Sequence, residues 1–181
     1  MLIKVKDENA IVLDFLPFGK GIERKGSPIA QVIGEKFFSL LEVGIRENVT
    51  VKPFDKVYIG SEKREHVKFI KDRINYNQLT SLAKTNLDIV LDNIITDEKI
   101  LEFFNKAPSI STRLHSIELL KGIGKKTLLV ILNERSKMPF KDIEDLKKRT
   151  GIANPKKIIK ERIIDELKEV DRYKFFVGVQ I

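Results

Sequence analysis

The 181-residue chain contains no cysteine, no tryptophan, two methionines and two histidines. Without cysteine there can be no disulfide, thiolate metal site or cysteine nucleophile. His66 and His115 lie far apart in sequence, which argues against a histidine-based metal centre, so no metal and no other cofactor is expected. Long hydrophobic runs are missing too. Nothing approaches the length of a membrane span, and the first residues have no apolar signal-peptide core. A soluble, cytoplasmic protein is therefore expected. Little Cys, Met and Trp beside abundant Lys, Ile and Glu is compatible with a heat-adapted source.

What the chain does have is charge, unevenly placed. Its 34 basic and 26 acidic residues give a formal charge of +8. Residues 1–60 carry 9 basic and 8 acidic groups, residues 61–110 carry 8 of each, and residues 111–181 carry 17 and 10. The excess in the last third fits either a polyanionic partner, whose phosphates would release counterions to Lys and Arg, or a solvated lysine-rich surface. The 42% apolar content suffices for one ordinary core or two small ones.

The first part of the chain has strand-like runs at Ala10–Leu16, Ile29–Ile33, Phe37–Val43 and Val57–Ile59. A long Gly- and Pro-containing loop, Pro17 to Pro28, joins the first two, and Ile33-Gly34-Glu35-Lys36 suggests a tight hairpin. Short strands so closely spaced predict a small barrel over residues 1–74, although residues 64–74 fit strand or helix. Connecting helices are expected over 75–110, with Leu79, Leu82, Leu87, Val90, Leu91 and Ile94 at helical spacing and Thr96 as a cap. Residues 111–170 are expected to be helical apart from turns. The β-prone tail within 171–181 predicts a final strand returning to the barrel. The fold class is thus α+β, a small N-terminal β-barrel followed by an all-α domain.

One turn carries specific chemistry. Leu114, Ile117 and Leu120 mark the buried face of an expected helix, followed by Lys121-Gly122-Ile123-Gly124-Lys125-Lys126 and a second helix through Leu128, Ile131 and Leu132. A first glycine can take the left-handed conformation, and a second lets an anion approach the backbone. Free amides and the helix dipole then favour phosphate, while Ile123 plugs between the helices. By itself such a triplet is an ordinary helix-to-helix cap. The plan repeats, however, about thirty residues on. Phe140, Ile143 and Leu146 line one helical face, and Gly151-Ile152-Ala153-Asn154-Pro155-Lys156-Lys157 follows, with Asn154 as cap and Pro155 at the first helical position.

On these residues the chain resembles the tandem helix-hairpin-helix domains of DNA- and RNA-binding proteins, and Leu119 to Leu146 is similar to the competence-type version. The resemblance implies phosphate contacts by Lys121, Gly122, Ile123, Gly124, Lys125 and Lys126, and by Gly151, Lys156 and Lys157 in the second turn. Ala153 departs from the pattern where a glycine is expected, so that turn should be the weaker. Over nearly its whole length the chain resembles an uncharacterised archaeal family described as predicted nucleic-acid-binding proteins with an oligonucleotide-binding (OB) barrel. Val12 to Gly19, Asp55 to Gly60 and Thr112-Arg113-Leu114-His115 through Lys126 carry that likeness. It implies an OB-like barrel ahead of the hairpins. Lys20, Arg24 and Lys25 of the first loop, with Phe18 as a stacking ring, would be the barrel's contact to nucleic acid.

The expected function is non-catalytic binding of RNA or DNA through the phosphate backbone. An adaptor docking on ribosomal or transcription proteins is the alternative. A glycosylase-like enzyme is a third, because Asp142 follows Gly124 at a suitable interval, but no second catalytic group accompanies it. His115 is read as structural, and Asp14 as a turn cap.

Overall fold

The structure, a computed structural model, describes residues 6–20 and 26–179. Two compact units divide the chain. Unit 1 comprises Met1–Ile94 with Glu166–Gln180, and unit 2 is essentially Ile95–Asp165.

Unit 1 is built on five antiparallel strands: β1 (Asn9–Leu16), β2 (Ile29–Gly34), β3 (Leu40–Ile45), β4 (Lys56–Tyr58) and β5 (Val67–Arg73), ordered β4-β1-β2-β3-β5. Residues 64–74, open to either reading from sequence, thus supply a strand. Register shifts at Val12/Asp14 in β1 and at Glu42/Val43 and Gly44/Ile45 in β3 add local twist and curl the sheet into a half-barrel. Ala10, Val12, Ala30, Val32, Val43, Ile45, Val51, Val57, Ile59 and Val67 fill its concave side. The expected tight hairpin at Ile33–Lys36 is longer. Phe37 and Phe38 are buried in the connection, not in β3, because the Asp7 carboxylate accepts from the amides of Lys36 and Phe37 at 2.8 Å and shapes a wider turn.

Helix α1 (Ser81–Ile94) buries Ala83, Leu87, Val90, Leu91 and Ile94 and packs on β1. Polar groups fix that packing: Asn86 Nδ2 donates to Leu13 O at 2.8 Å, Thr80 Oγ1 donates to Asp14 at 2.6 Å, and Gln31 Oε1 accepts from the Thr80 amide at 2.9 Å. Asp14 is therefore a structural tie. The tail, expected as a strand, contains none among its described residues. Instead the buried Glu166 carboxylate accepts from the amides of Phe175, Phe176 and Val177, each at 3.0 Å, and the Gly178 amide donates to Phe37 O. A carboxylate has taken the place of a neighbouring strand.

Unit 2 holds α2 (Asp97–Lys106), a two-stranded hairpin of β6 (Ser109–Ser111) and β7 (Leu114–His115), a 3-10 turn (Ser116–Leu119), α3 (Lys125–Lys137) and α4 (Ile143–Thr150). Helix α5 (Pro155–Leu167) begins here and runs across the boundary between the units. The α-helix expected through Leu114, Ile117 and Leu120 does not form. His115 Nδ1 accepts from the Ile117 amide while Glu118 accepts from the His115 amide, a reciprocal cap that closes a tight turn after the hairpin. Arg149 joins α4 to the end of α3, pairing with Glu134 at 3.2 Å and Asp145 at 3.0 Å and stacking on Phe140. No helix among the described residues is long and apolar enough to cross a membrane.

Candidate nucleic-acid interface

Between the 3-10 turn and α3 the chain reverses in a few residues. Gly122 takes φ 81°, a conformation costing a residue with a Cβ roughly 1–2 kcal/mol. Ile123 is buried and its amide donates to Leu120 O. Gly124 is the N-cap of α3 at φ −89°, ψ 175°, which any residue can adopt. A Cβ at either glycine would meet nothing within 4 Å.

No side chain caps α3, whereas Thr80, Thr96, Asp142 and Asn154 accept from first-turn amides of α1, α2, α4 and α5. Among the described α-helices, α3 alone has no side chain accepting from its leading amides. Lys125 and Lys126 beside them are exposed and pair with no carboxylate among the described residues. Lys121 is instead paired with Asp165 at 3.1 Å, so its charge is partly spent.

The second turn follows the same plan with one residue more. Helix α4 ends at Gly151, φ 75°, and Ile152 is buried. Asn154 accepts from the Lys157 amide at 3.0 Å, so a side chain already occupies part of the position that is open at α3. Lys156 is half-buried and Lys157 exposed.

Both turns lie in unit 2, while the loop residues expected to join them belong to unit 1. There Lys20 is held by the buried Glu42, 2.5 Å away, which also pairs with Lys71 at 2.7 Å. Burial pushes the Glu42 carboxyl up, but the two ammonium groups outweigh it and hold the pKa below its ordinary value. Phe18 is exposed. Arg24 and Lys25 lie outside the described residues. Asp142, the residue behind the glycosylase alternative, accepts from the Asp145 amide at 2.7 Å and so caps α4.

Beside the first turn lies a groove of about 280 Å³ that sequence reasoning missed. The β6–β7 hairpin contributes Arg113 and Leu114, and α3 contributes Lys125, Leu128, Leu129 and Leu132, with His115 and Glu118 also in the wall. Leu129 is 66% exposed. Burial, then the charge of Arg135, push the His115 pKa down, opposed by Glu118, so the ring is neutral at pH 7. Burial also lowers Arg135, which donates to the carbonyls of Phe104 and Ala107.

A family model described as a protein of unknown function (DUF655) matches residues 6–178. The uncharacterized protein MJ0038 of Methanocaldococcus jannaschii is 38% identical over 178 residues, covering 97% of this chain and 81% of its own. The crystal structure of Af1531 from Archaeoglobus fulgidus is similar at a TM-score of 0.82 and 44% identity, covering 94% of this chain and 99% of that one.

Proposed function

The chain belongs to the DUF655 family, and we propose that it is a non-catalytic nucleic-acid-binding protein that grips the phosphate backbone through the turns Gly122–Lys126 and Gly151–Lys157. In this reading the two turns are a tandem helix-hairpin-helix unit whose first helix has shrunk to a 3-10 turn. The half-barrel is read as a partly open OB-type barrel, from its β4-β1-β2-β3-β5 order.

One observation carries the proposal: the start of α3, with no side-chain cap, two lysines that pair with no carboxylate among the described residues, and open space over both glycines. A phosphate there would accept from outward-pointing amides in the positive field of the helix end. Such contacts read no bases. The second turn, already capped by Asn154, adds affinity mainly through Lys156 and Lys157.

The test is a salt titration of oligonucleotide binding with the full chain and its Gly124→Ala variant. With about four lysines engaged, log K should fall with log salt at a slope of about −3 to −4. Gly124→Ala should cost about 0.5–1 kcal/mol of stability, since Ala is a poorer N-cap than Gly, leaving the chain folded, yet weaken binding several-fold, because the new methyl stands where the phosphate comes in. Salt-insensitive binding, or unaltered affinity of Gly124→Ala, defeats the proposal.

A further inference from the structure

The groove beside α3 holds cationic donors at Arg113 and Lys125 and the hydroxyls of Ser109, Ser111 and Thr112, and its single acid, Glu118, is committed to the His115 amide at 2.8 Å. His115 is the informative member. Its ring is buried to 5% exposure. Nδ1 accepts from the Ile117 amide at 3.1 Å, so the proton of the neutral ring sits on Nε2. Nε2 lies 3.5 Å from an Arg135 guanidinium nitrogen, which is itself only a donor. With that tautomer two donors face each other, and no hydrogen bond from Nε2 to an acceptor is found among the described residues. No carboxylate among the described residues pairs with Arg135 either. A buried donor without an acceptor is costly, and a ligand oxygen would supply what the protein does not.

Leu114, Leu128, Leu129 and Leu132 form an apolar wall. The volume lies near the lower end of small-ligand pockets, which run from roughly 300 Å³ upward, and suits one flat ring with its sugar, not a helix or a stacked pair. Lys125 belongs both to the groove and to the start of α3, so a ligand held at that helix end is next to the groove mouth.

We infer that the groove receives one unpaired nucleotide of a strand whose phosphate is gripped at the start of α3, so that the chain prefers single-stranded or bulged nucleic acid to continuous duplex. The base lies on the leucine wall, as flipped or unpaired bases lie on apolar side chains, and an oxygen on its edge accepts from His115 Nε2. A paired base inside a duplex has neither its face nor its edge free for this. The inference rests on the backbone grip proposed above.

The experiment measures binding of the full chain to a short labelled oligothymidine strand, the matching oligouridine strand and the corresponding dA–dT duplex at one salt concentration. Wild type should bind the single strands at least several-fold more tightly than the duplex. His115→Asn places an amide oxygen near Nδ1, keeping the cap on Ile117 while removing the Nε2 donor. It should reduce the strand-to-duplex affinity ratio by about tenfold. Arg113→Ala, a change at the exposed rim of the groove, should lower the same ratio and decides the matter if the histidine variant folds poorly. Equal tightness of both strands supports recognition of the unpaired base; a preference confined to the ribose strand and insensitive to both variants overturns it. If wild type binds strand and duplex alike, or the ratio survives both variants, the groove proposal falls and the grip stands. If wild type binds none of the probes, both fall.

Discussion

His115 sits where three demands meet: it caps the 3-10 turn through Nδ1, lies against the Arg135 guanidinium, and is almost fully buried. Burial and Arg135 lower its pKa in the folded chain, whereas in the unfolded chain the ring keeps its ordinary value of 6.5. Above that value both states are neutral and the full stability is present. As the pH drops below it, the unfolded chain takes up a proton that the folded chain refuses, so stability falls. The melting temperature should therefore decline between pH 7 and pH 5.5, with a weaker decline in His115→Asn. An unchanged slope in the variant would clear His115 of the effect. The groups shifted down among the acids, such as Glu42 and Glu134, act only below their ordinary value of 4.5. Residues with local roles were legible in the sequence: Thr96, Asn154 and Gly151 do their capping with neighbours three or four positions away. His115 was read as structural, but its Arg135 neighbour is twenty positions distant, and no spacing rule reaches that far.

At the scale of elements, the sequence yielded β1, β2, β4, α1, α2 and α4 within a few residues, since each has its own periodicity or cap. Two segments escaped. Leu114, Ile117 and Leu120 keep helical spacing over too few residues to distinguish an α-helix from a hairpin followed by a tight turn, and the His115–Glu118 cap settled it. Tyr173 to Val179 has strand composition, but a strand needs a partner edge, and Glu166 supplies acceptors instead. That substitution makes a prediction. Glu166→Gln replaces one accepting oxygen with a donor facing amides, losing charge-assisted bonds worth about 1.5–3 kcal/mol each. Denaturant unfolding should show a loss of about 2 kcal/mol, and the amides of Phe175 to Val177 should exchange faster with solvent. Wild-type stability and exchange in this variant would mean the carboxylate is not the tail's anchor.

Taken whole, the molecule carries its charge in one place: unit 2 holds 16 basic against 10 acidic residues, +6 of the +8 total. Total charge and local placement then make different forecasts. Lys63→Glu and Lys126→Glu both lower the net charge from +8 to +6, yet Lys63 is exposed in unit 1 and Lys126 stands at the open end of α3. Oligonucleotide affinity should change less than about twofold for the first and about tenfold or more for the second, because screening confines exposed charges to roughly 10 Å. Equal losses would mean that binding follows overall charge. The sequence showed the bias toward its last third but not the division into units, since unit 1 is completed by Glu166 to Gln180, far from the rest of it along the chain. That interleaving sets a schedule on the ribosome. The sheet strands emerge early, but the segment that closes over Phe37 arrives only after unit 2 has been synthesised. At synthesis rates of about 5–20 residues per second the wait is roughly 4–14 s. Through that interval Phe37 and its neighbours lack their tail, so the nascent chain presents an incomplete hydrophobic surface whose protection depends on finishing translation.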